Sequence, residues 1–329
     1  MGLKVSVLIH NRNRVTILGR CLESVAELEY RPLEVLVLDA ESTDGSQNVI
    51  EAAFEGMRRR RIEVRFIPCK PAGCPASRNL AASHATGDLL FFMDNDATIV
   101  ERDGLGSIVN LFEDDPRLAI VTVRILLEDS PAFDPFAWVF RRAKKTWELR
   151  TFKTFAFAGA GFVARASAYR EIGGFWERII YSREEEEMSY ALIAAGWRLV
   201  YCPALTVRHY PSSRGPAEVA KRRSIELVNG VLVFWRRLPM PLAALAIVGR
   251  IGTMTGKSLI RDPRSLGCLW RAVGSALVQV VNFGEPRRPI SFAAAWRYAV
   301  LHFDWTGIRV RGFGTTDTLT SAGEGDTLS

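Results

Sequence analysis

The chain has 329 residues, 48% of them hydrophobic and 24% charged, a composition that excludes a disordered, collagen-like or coiled-coil protein and supports a core without disulfide staples. The net charge of +7 lies entirely in the C-terminal third: residues 1–210 hold 27 Lys and Arg against 28 Asp and Glu, residues 211–329 hold 16 against 8. A basic appendage attracts nucleic acid, an anionic membrane surface or an acidic ligand, and composition does not choose among them.

Runs rich in β-branched and aromatic residues at 4–9, 33–38, 62–67, 88–93 and 118–124 alternate with helix-like stretches at 15–28, 44–60 and 74–86. That alternation predicts an α/β fold, a doubly wound and mostly parallel sheet with helices on both faces. Ligands of such sheets bind beyond the carboxyl ends of the strands, where Asp39 and the triplet Asp94-Asn95-Asp96 fall. Residues 125–160 are aromatic and basic without clear periodicity and read as a mobile loop or a short helix. The 161–210 stretch combines the acidic run Glu184 to Glu187, a helix-like segment and a strand ending at His209.

Two prolines within six positions, Pro211 and Pro216, mark a boundary. Beyond it the apolar stretches 225–235, 238–249 and 272–283 are broken by arginine pairs or proline, and fall short of the roughly 20 residues a spanning helix needs. The expected organisation is an α/β domain over 1–212, a helical region over 213–311 and a disordered tail over 312–329. Five scattered cysteines (Cys21, Cys69, Cys74, Cys202, Cys268) without C-x-x-C spacing read as reduced thiols. The first residues, MGLKVSVLIHNRNR, lack a signal-peptide core. Together these lead to the expectation of a cytoplasmic location, with the basic helices a candidate for peripheral contact with the cytoplasmic face of a membrane.

The strongest chemical feature is Asp94-Asn95-Asp96, because two carboxylates one residue apart at a strand end can share a hard divalent cation such as Mg²⁺ or Mn²⁺ that also holds a diphosphate. A plain turn is the competing reading. Arg58 to Arg61 lack interleaved aromatics and read as a solvated helix end, so no nucleic-acid partner is expected.

The wider pattern decides the function. KVSVLIHNRNR at 4–14, LDAESTDGS at 38–46, Gly73 with Ser77-Arg78-Asn79, Gly87-Asp88 before Met-Asp-Asn-Asp, Glu184-Glu185 and Ala195-Gly196-Trp197 together resemble, in order and spacing over about residues 3–210, the inverting family 2 glycosyltransferases of GT-A fold. The resemblance implies a metal-dependent enzyme that moves a hexosyl or deoxyhexosyl group from a nucleotide-diphosphate sugar to an acceptor hydroxyl, a lipid-linked or cell-surface glycan precursor being the candidate acceptor. It assigns Ile9, Asn11, Asp39, Gly73, Arg78, Asp94 and Asn95 to the nucleotide sugar, and Asp94, Asp96 and His209 to Mg²⁺ or Mn²⁺. Gly161 and Trp197 fall to the acceptor, and Glu185, or else Glu184, to the catalytic base. Asp44 is expected as a cap or turn residue. His10, Arg12 and Ala40 depart from the family's usual residues, which leaves the nucleotide base open. A sugar-1-phosphate nucleotidyltransferase is an alternative, disfavoured because no glycine-rich loop follows the first strand; a membrane-associated scaffold with structural carboxylates is another, and a homo-oligomer is a further candidate assembly.

Overall fold

The computed structural model describes residues 2–212, 216–261, 263 and 266–303; the 312–329 tail and part of the 211–216 link lie outside the described residues. The strands are β1 (Val5–Asn11), β2 (Leu33–Asp39), β3 (Glu63–Pro68), β4 (Leu89–Asp94), β5 (Ala97–Ile99), β6 (Leu118–Leu127), β7 (Phe152–Thr154), β8 (Gly161–Arg165) and β9 (Arg198–His209). The α/β part carries helices α1 (Val15–Ala26), α2 (Ser46–Arg59), α3 (Cys74–His84), α4 (Gly104–Asp114), α5 (Lys144–Trp147), α6 (Ala166–Glu171) and α7 (Glu184–Ala194). The C-terminal region is helical, with α8 (Pro216–Arg237), α9 (Leu242–Arg261), α10 (Leu266–Val281) and α11 (Phe292–Phe303).

One mixed sheet runs in the order β3-β2-β1-β4-β8-β6-β9-β5, and β7 also pairs with β9. The expected α/β architecture is present, with β3-β2-β1-β4 all parallel. Its second half departs from a uniform parallel sheet, because β8 lies antiparallel to both β4 and β6. The chain reaches β8 from the excursion after β6 without a helical crossover of the βαβ kind, and so enters from the opposite end.

Alternation explains why the strands read as continuous apolar runs. Val5, Val7 and Ile9 of β1 join a core with Leu18, Leu22 and Val25 of α1 and Ile50, Phe54 and Met57 of α2. Leu8 of the same strand faces the other core, shared with Phe92, Phe162, Met188 and Leu192. Both faces are covered, so both side-chain sets must be apolar. Phe92 stacks on Phe162 at 4.8 Å between ring centroids; truncating such a fully buried aromatic costs about 3–5 kcal/mol.

Gly87 explains one of the sequence motifs. A Cβ on it would lie 2.5 Å from Ser6 Oγ and 2.8 Å from Lys4 O, so only glycine permits this approach. Asp88 accepts from Lys4 N at 2.9 Å, which ties β4 to the start of β1, at the end of the sheet remote from Asp39 and Asp94.

The 125–160 segment is packed. Trp138 makes edge contacts with Phe133, Phe140 and Tyr201 at 5.0–5.6 Å, and the Tyr201 hydroxyl donates to Glu148 O at 2.7 Å. Aromatic anchoring replaces the periodic pattern that the sequence lacks; of the loop or short helix expected there, the helix is the single turn α5.

The C-terminal helices close over α7. Tyr298 of α11 stacks on Tyr190 at 4.0 Å. Arg236 and Arg237 of α8 both donate from Nε to Glu187 Oε1, at 2.9 and 2.7 Å, with Glu187 only 1% exposed. Removing one partner of so buried a cluster costs about 3–5 kcal/mol. Glu184 is buried as well, so the acidic run is not a solvated helix start. Among the described residues no helix is long and apolar enough to cross a membrane.

Candidate active site

Sheet register assembles the site. Parallel pairing sets Asn11 beside Asp39 and His10 beside Asp94 at the carboxyl ends of β1, β2 and β4. The chain then turns through Asn95 and Asp96 into β5, whose antiparallel pairing with β9 puts Ala97 opposite His209. Asp94, Asp96 and His209 thereby offer ligand atoms within 4.8 Å of one another.

The buried Asn11 links the two halves of this edge. Its amide donates to Asp39 Oδ1 at 2.9 Å, and its carbonyl accepts from Asn95 Nδ2 at 2.7 Å. Asp39 also receives Ser42 N and Oγ, at 3.0 and 2.7 Å, which fixes the loop after β2. Of the cap or turn role expected for Asp44, the turn is what the structure has: it accepts from Ser46 N at 3.0 Å and from Val15 N at 2.8 Å, while Gly45 and Arg14 hold the cap positions of α2 and α1.

Asp96 lies between two cationic groups, His209 Nε2 at 3.4 Å and Arg14 Nη2 at 3.3 Å. Burial raises its pKa, but the hydrogen bond and charge of His209, with Arg14, outweigh burial and hold it below the usual value. Burial likewise opposes protonation of His209, yet Asp134 and Asp96 raise it to about 10. Asp134 is 2.8 Å from His209 Nδ1. A proton donated from Nδ1 to Asp134 leaves Nε2 turned toward Asp96, the arrangement in which an imidazole ligates a metal. Two carboxylates suit Mn²⁺ or Mg²⁺, an oriented imidazole beside them favours Mn²⁺ of the two, and an imidazolium supplies the positive charge this pair of aspartates demands without a metal.

Arg78 of α3 forms the floor of the site. It is 6% exposed, donates from Nη2 to Gly159 O at 2.8 Å and to Asp94 Oδ1 at 3.3 Å, and lies 3.6 Å from Glu185 and 3.9 Å from Glu184 through Nη1. Burial alone lowers its pKa; Cys74, Asp94, Glu185 and Glu184 reverse that and raise it, so it stays charged. Glu184 and Glu185 are displaced upward, first by burial, with Arg78 opposing in both. Glu185 keeps 22% of its side chain open, against 5% for Glu184, whose Oε2 is buried without a hydrogen-bond partner among the described residues. Gly159 makes the approach possible, since a Cβ there would lie 2.2 Å from Glu185 Oε1 and 3.0 Å from Arg78 Nη2.

Of the residues marked from sequence, Asn11, Asp39, Arg78, Asp94, Asn95, Asp96, Glu184, Glu185 and His209 share this edge. Gly73 caps α3, and its missing side chain admits Ile180, whose Cα lies 3.0 Å from the position of a Cβ. The other three, Ile9, Gly161 and Trp197, are engaged in packing or in a hydrogen bond of their own. Ile9 points into the core and is fully buried. Gly161 opens β8, with Val123 and Val207 both 3.2 Å from where its Cβ would be. Trp197 donates to Glu171 at 3.1 Å just before β9, and the 12 residues of that strand separate it from His209 by about 3.3 Å each. The sequence reading missed Asp134, Arg14 and Gly159. Gly159 stands two residues before the marked Gly161, and Asp134 stands in a segment with no pattern to mark it.

Solved structures share this architecture. A mannosyltransferase of Pyrobaculum calidifontis, in complex with GDP-Man and Mn²⁺, superposes with a TM-score of 0.58 at 19% identity, over 91% of this chain and 79% of that one. TarS of S. aureus in complex with UDP-GlcNAc gives 0.57 at 14% identity, over 85% and 82%. The "Pre-mycofactocin glycosyltransferase" of Mycobacterium tuberculosis is 31% identical over 289 residues, 79% of this chain and 58% of its own length. An O-antigen chain rhamnosyltransferase of Salmonella typhimurium is 26% identical over 216 residues, 63% and 66% of the two chains. The chain thus spans less than two thirds of the length of these two curated relatives. The family model of glycosyl transferase family 2 matches residues 6–173, more than half of the sequence and the part that supplies β1 to β8; the chain belongs to glycosyl transferase family 2.

Proposed function

We propose that the protein is a metal-dependent inverting glycosyltransferase that uses a nucleotide-diphosphate sugar, with residues 1–212 as its catalytic unit. The observation that carries this is the pair of carboxylate groups on either side of Arg78: Asp94 and Asp96 with His209, and Glu184 with Glu185. Asp94, Asp96 and His209 would hold Mn²⁺ or Mg²⁺, which when bound neutralises charge developing on the leaving diphosphate. Asn11, Asp39 and Asn95 form the nucleotide wall. Arg78 keeps Asp94 and Glu185 at fixed separation and supplies a permanent positive charge between them. Glu185, the more open glutamate, takes the acceptor hydroxyl proton as the new bond to the anomeric carbon forms and the bond to the diphosphate oxygen breaks on the opposite face. Burial raises the proton affinity of both glutamates, and Glu185 adds to the rise at Glu184.

The named ligands of the fold neighbours, GDP-Man with Mn²⁺ and UDP-GlcNAc, and the rhamnosyl transfer named for the Salmonella relative, favour a hexosyl or deoxyhexosyl donor. Calorimetric titration with UDP, GDP and dTDP, with and without Mn²⁺, tests the reading. Binding of one nucleotide that tightens with Mn²⁺ is expected; no binding under either condition overturns it in favour of a scaffold.

The C-terminal helices favour peripheral membrane contact and a lipid-linked acceptor. Leu245, Val248, Ile260, Trp270, Val278, Val281 and Trp296 are exposed there, amid a basic excess, and amphipathic helices of this kind settle among anionic headgroups. Flotation with anionic liposomes at low salt is expected. Protein that stays at the bottom at both low and high salt leaves the helices a packing role alone.

A further inference from the structure

Immediately before α7, two consecutive residues with side chains adopt the left-handed backbone conformation, Ser182 at φ +68° and Arg183 at φ +77°. Neither is glycine, so the turn is intrinsically unfavourable and persists only where its neighbours hold it. From it α7 launches Glu184 and Glu185. Two elements grip the turn. On the α3 side, Cys74 N donates to Ile180 O at 3.2 Å, an approach that bare Gly73 permits. On the α8 side, Asn229 is 7% exposed and donates through Nδ2 to Tyr181 O at 2.6 Å and Ser182 O at 3.0 Å. Arg183 reaches Glu226 of the same helix at 2.7 Å, and Arg250 of α9 holds Glu226 at 3.2 Å.

We infer that Asn229 is a positioning residue for glycosyl transfer: by fixing two successive carbonyls of the left-handed turn it sets where Glu184 and Glu185 stand relative to Arg78. The inference rests on the reading of those glutamates as the acceptor-side carboxylates. It makes α8 part of the active-site scaffold although Asn229 touches neither substrate nor metal ligands. Only an amide suits the position, since one nitrogen presents two hydrogens to two carbonyls, whereas an aspartate would set an oxygen against both. Elsewhere α8 is anchored by Arg236 and Arg237 on Glu187 and by buried Leu227, Val231 and Val233. Truncating Asn229 therefore loosens the turn while leaving the helix docked.

The test compares Asn229→Ala, Asn229→Asp and the double variant Asn229→Ala/Ser182→Gly in the full chain. Hydrogen exchange is followed over residues 180–187, Mn²⁺-dependent UDP and GDP affinity by calorimetry, and turnover as nucleoside diphosphate release from a panel of nucleotide sugars. Both single variants are expected to raise exchange in that segment and lower kcat by about 10- to 100-fold, the loss that follows a misplacement of roughly 1 Å, with nucleotide affinity unchanged. Ser182→Gly is expected to restore part of the loss, because glycine takes the left-handed conformation without steric cost. Wild-type kcat in Asn229→Ala, unchanged exchange, or a loss that Ser182→Gly leaves wholly in place overturns the inference. Glu184→Gln and Glu185→Gln run in parallel separate the two readings. If both keep full turnover, the carboxylate assignment has failed and the inference falls with it; if they lose turnover and Asn229→Ala does not, the inference alone fails.

Discussion

Arg78 stands between two carboxylate groups that the fold treats in opposite ways. On one side Asp96 has His209 and Arg14 at 3.4 and 3.3 Å, and its carboxyl is held below the usual range. On the other, Glu184 and Glu185 share one guanidinium at 3.6–3.9 Å, and burial with mutual repulsion leaves Glu184 above that range. Asp96 and Glu184 are both buried. What separates them is the number of cationic partners per carboxylate, and under the proposed function that difference would divide the labour: an acid kept ionised suits a cation, while one with raised proton affinity suits a base.

The sharpest way to break this comparison is to remove each side in turn. Asp96→Ala is expected to abolish transfer with a native circular dichroism spectrum and a lowered Tm at neutral pH; full turnover by this variant, or by wild type in excess EDTA, refutes the cation side. Glu185→Gln should keep Mn²⁺-dependent nucleotide binding and lower kcat by roughly 10² to 10⁴. If Glu184→Gln proves the more damaging variant, the open glutamate is not the base.

Smaller effects refine the two environments. Asp134→Asn leaves His209 in place but weakens its orientation, and Mn²⁺ affinity should fall by about 10- to 100-fold, as for other partners of metal-bound histidines; calorimetry at fixed nucleotide reads this directly. A pH series separates the groups by sign. Asp96, depressed in the folded state, contributes stability that is present at neutral pH and lost as pH falls below the ordinary aspartate range of about 4. Glu184, raised in the folded state, binds a proton that the unfolded chain has released, so its contribution declines as pH rises above about 4.3. Glu184→Gln, a mimic of the protonated acid, should therefore gain more Tm over wild type at pH 8 than at pH 5. Equal differences at the two pH values show that Glu184 is not displaced. Turnover should rise as pH climbs above the ordinary glutamate range, since burial raises Glu185 and only the deprotonated base accepts the acceptor proton.

The contrast between the two carboxylate groups was only half legible in the sequence. Asp94-Asn95-Asp96 could be marked because it directly follows an apolar strand, and the glutamate run because it opens a helix at a recognisable distance from Ala195-Gly196-Trp197. Nothing local distinguished Glu184 from Glu185, or Glu187, which serves Arg236 and Arg237 instead. Along α7 successive residues point about 100° apart, so one acidic run feeds two different surroundings. Trp197 shows the reverse failure: adjacent in the motif, it is carried to the far end of the sheet by the length of β9.

By itself the sequence determined the parallel half of the sheet and its helices, because runs apolar on both faces alternating with 3.6-period helices have few other ways to bury themselves. It also determined which strand ends carry acids, since those follow from position along a strand. Tertiary structure alone decided that antiparallel β8 divides β4 from β6, that Asp134 turns His209 toward Asp96, that Gly159 makes room for Arg78 and Glu185, and that Asn229 holds the turn before α7. Each of these joins residues from separate elements through a contact of a few ångströms, and such contacts leave no periodic trace in the chain: they arise only when separate segments pack against one another.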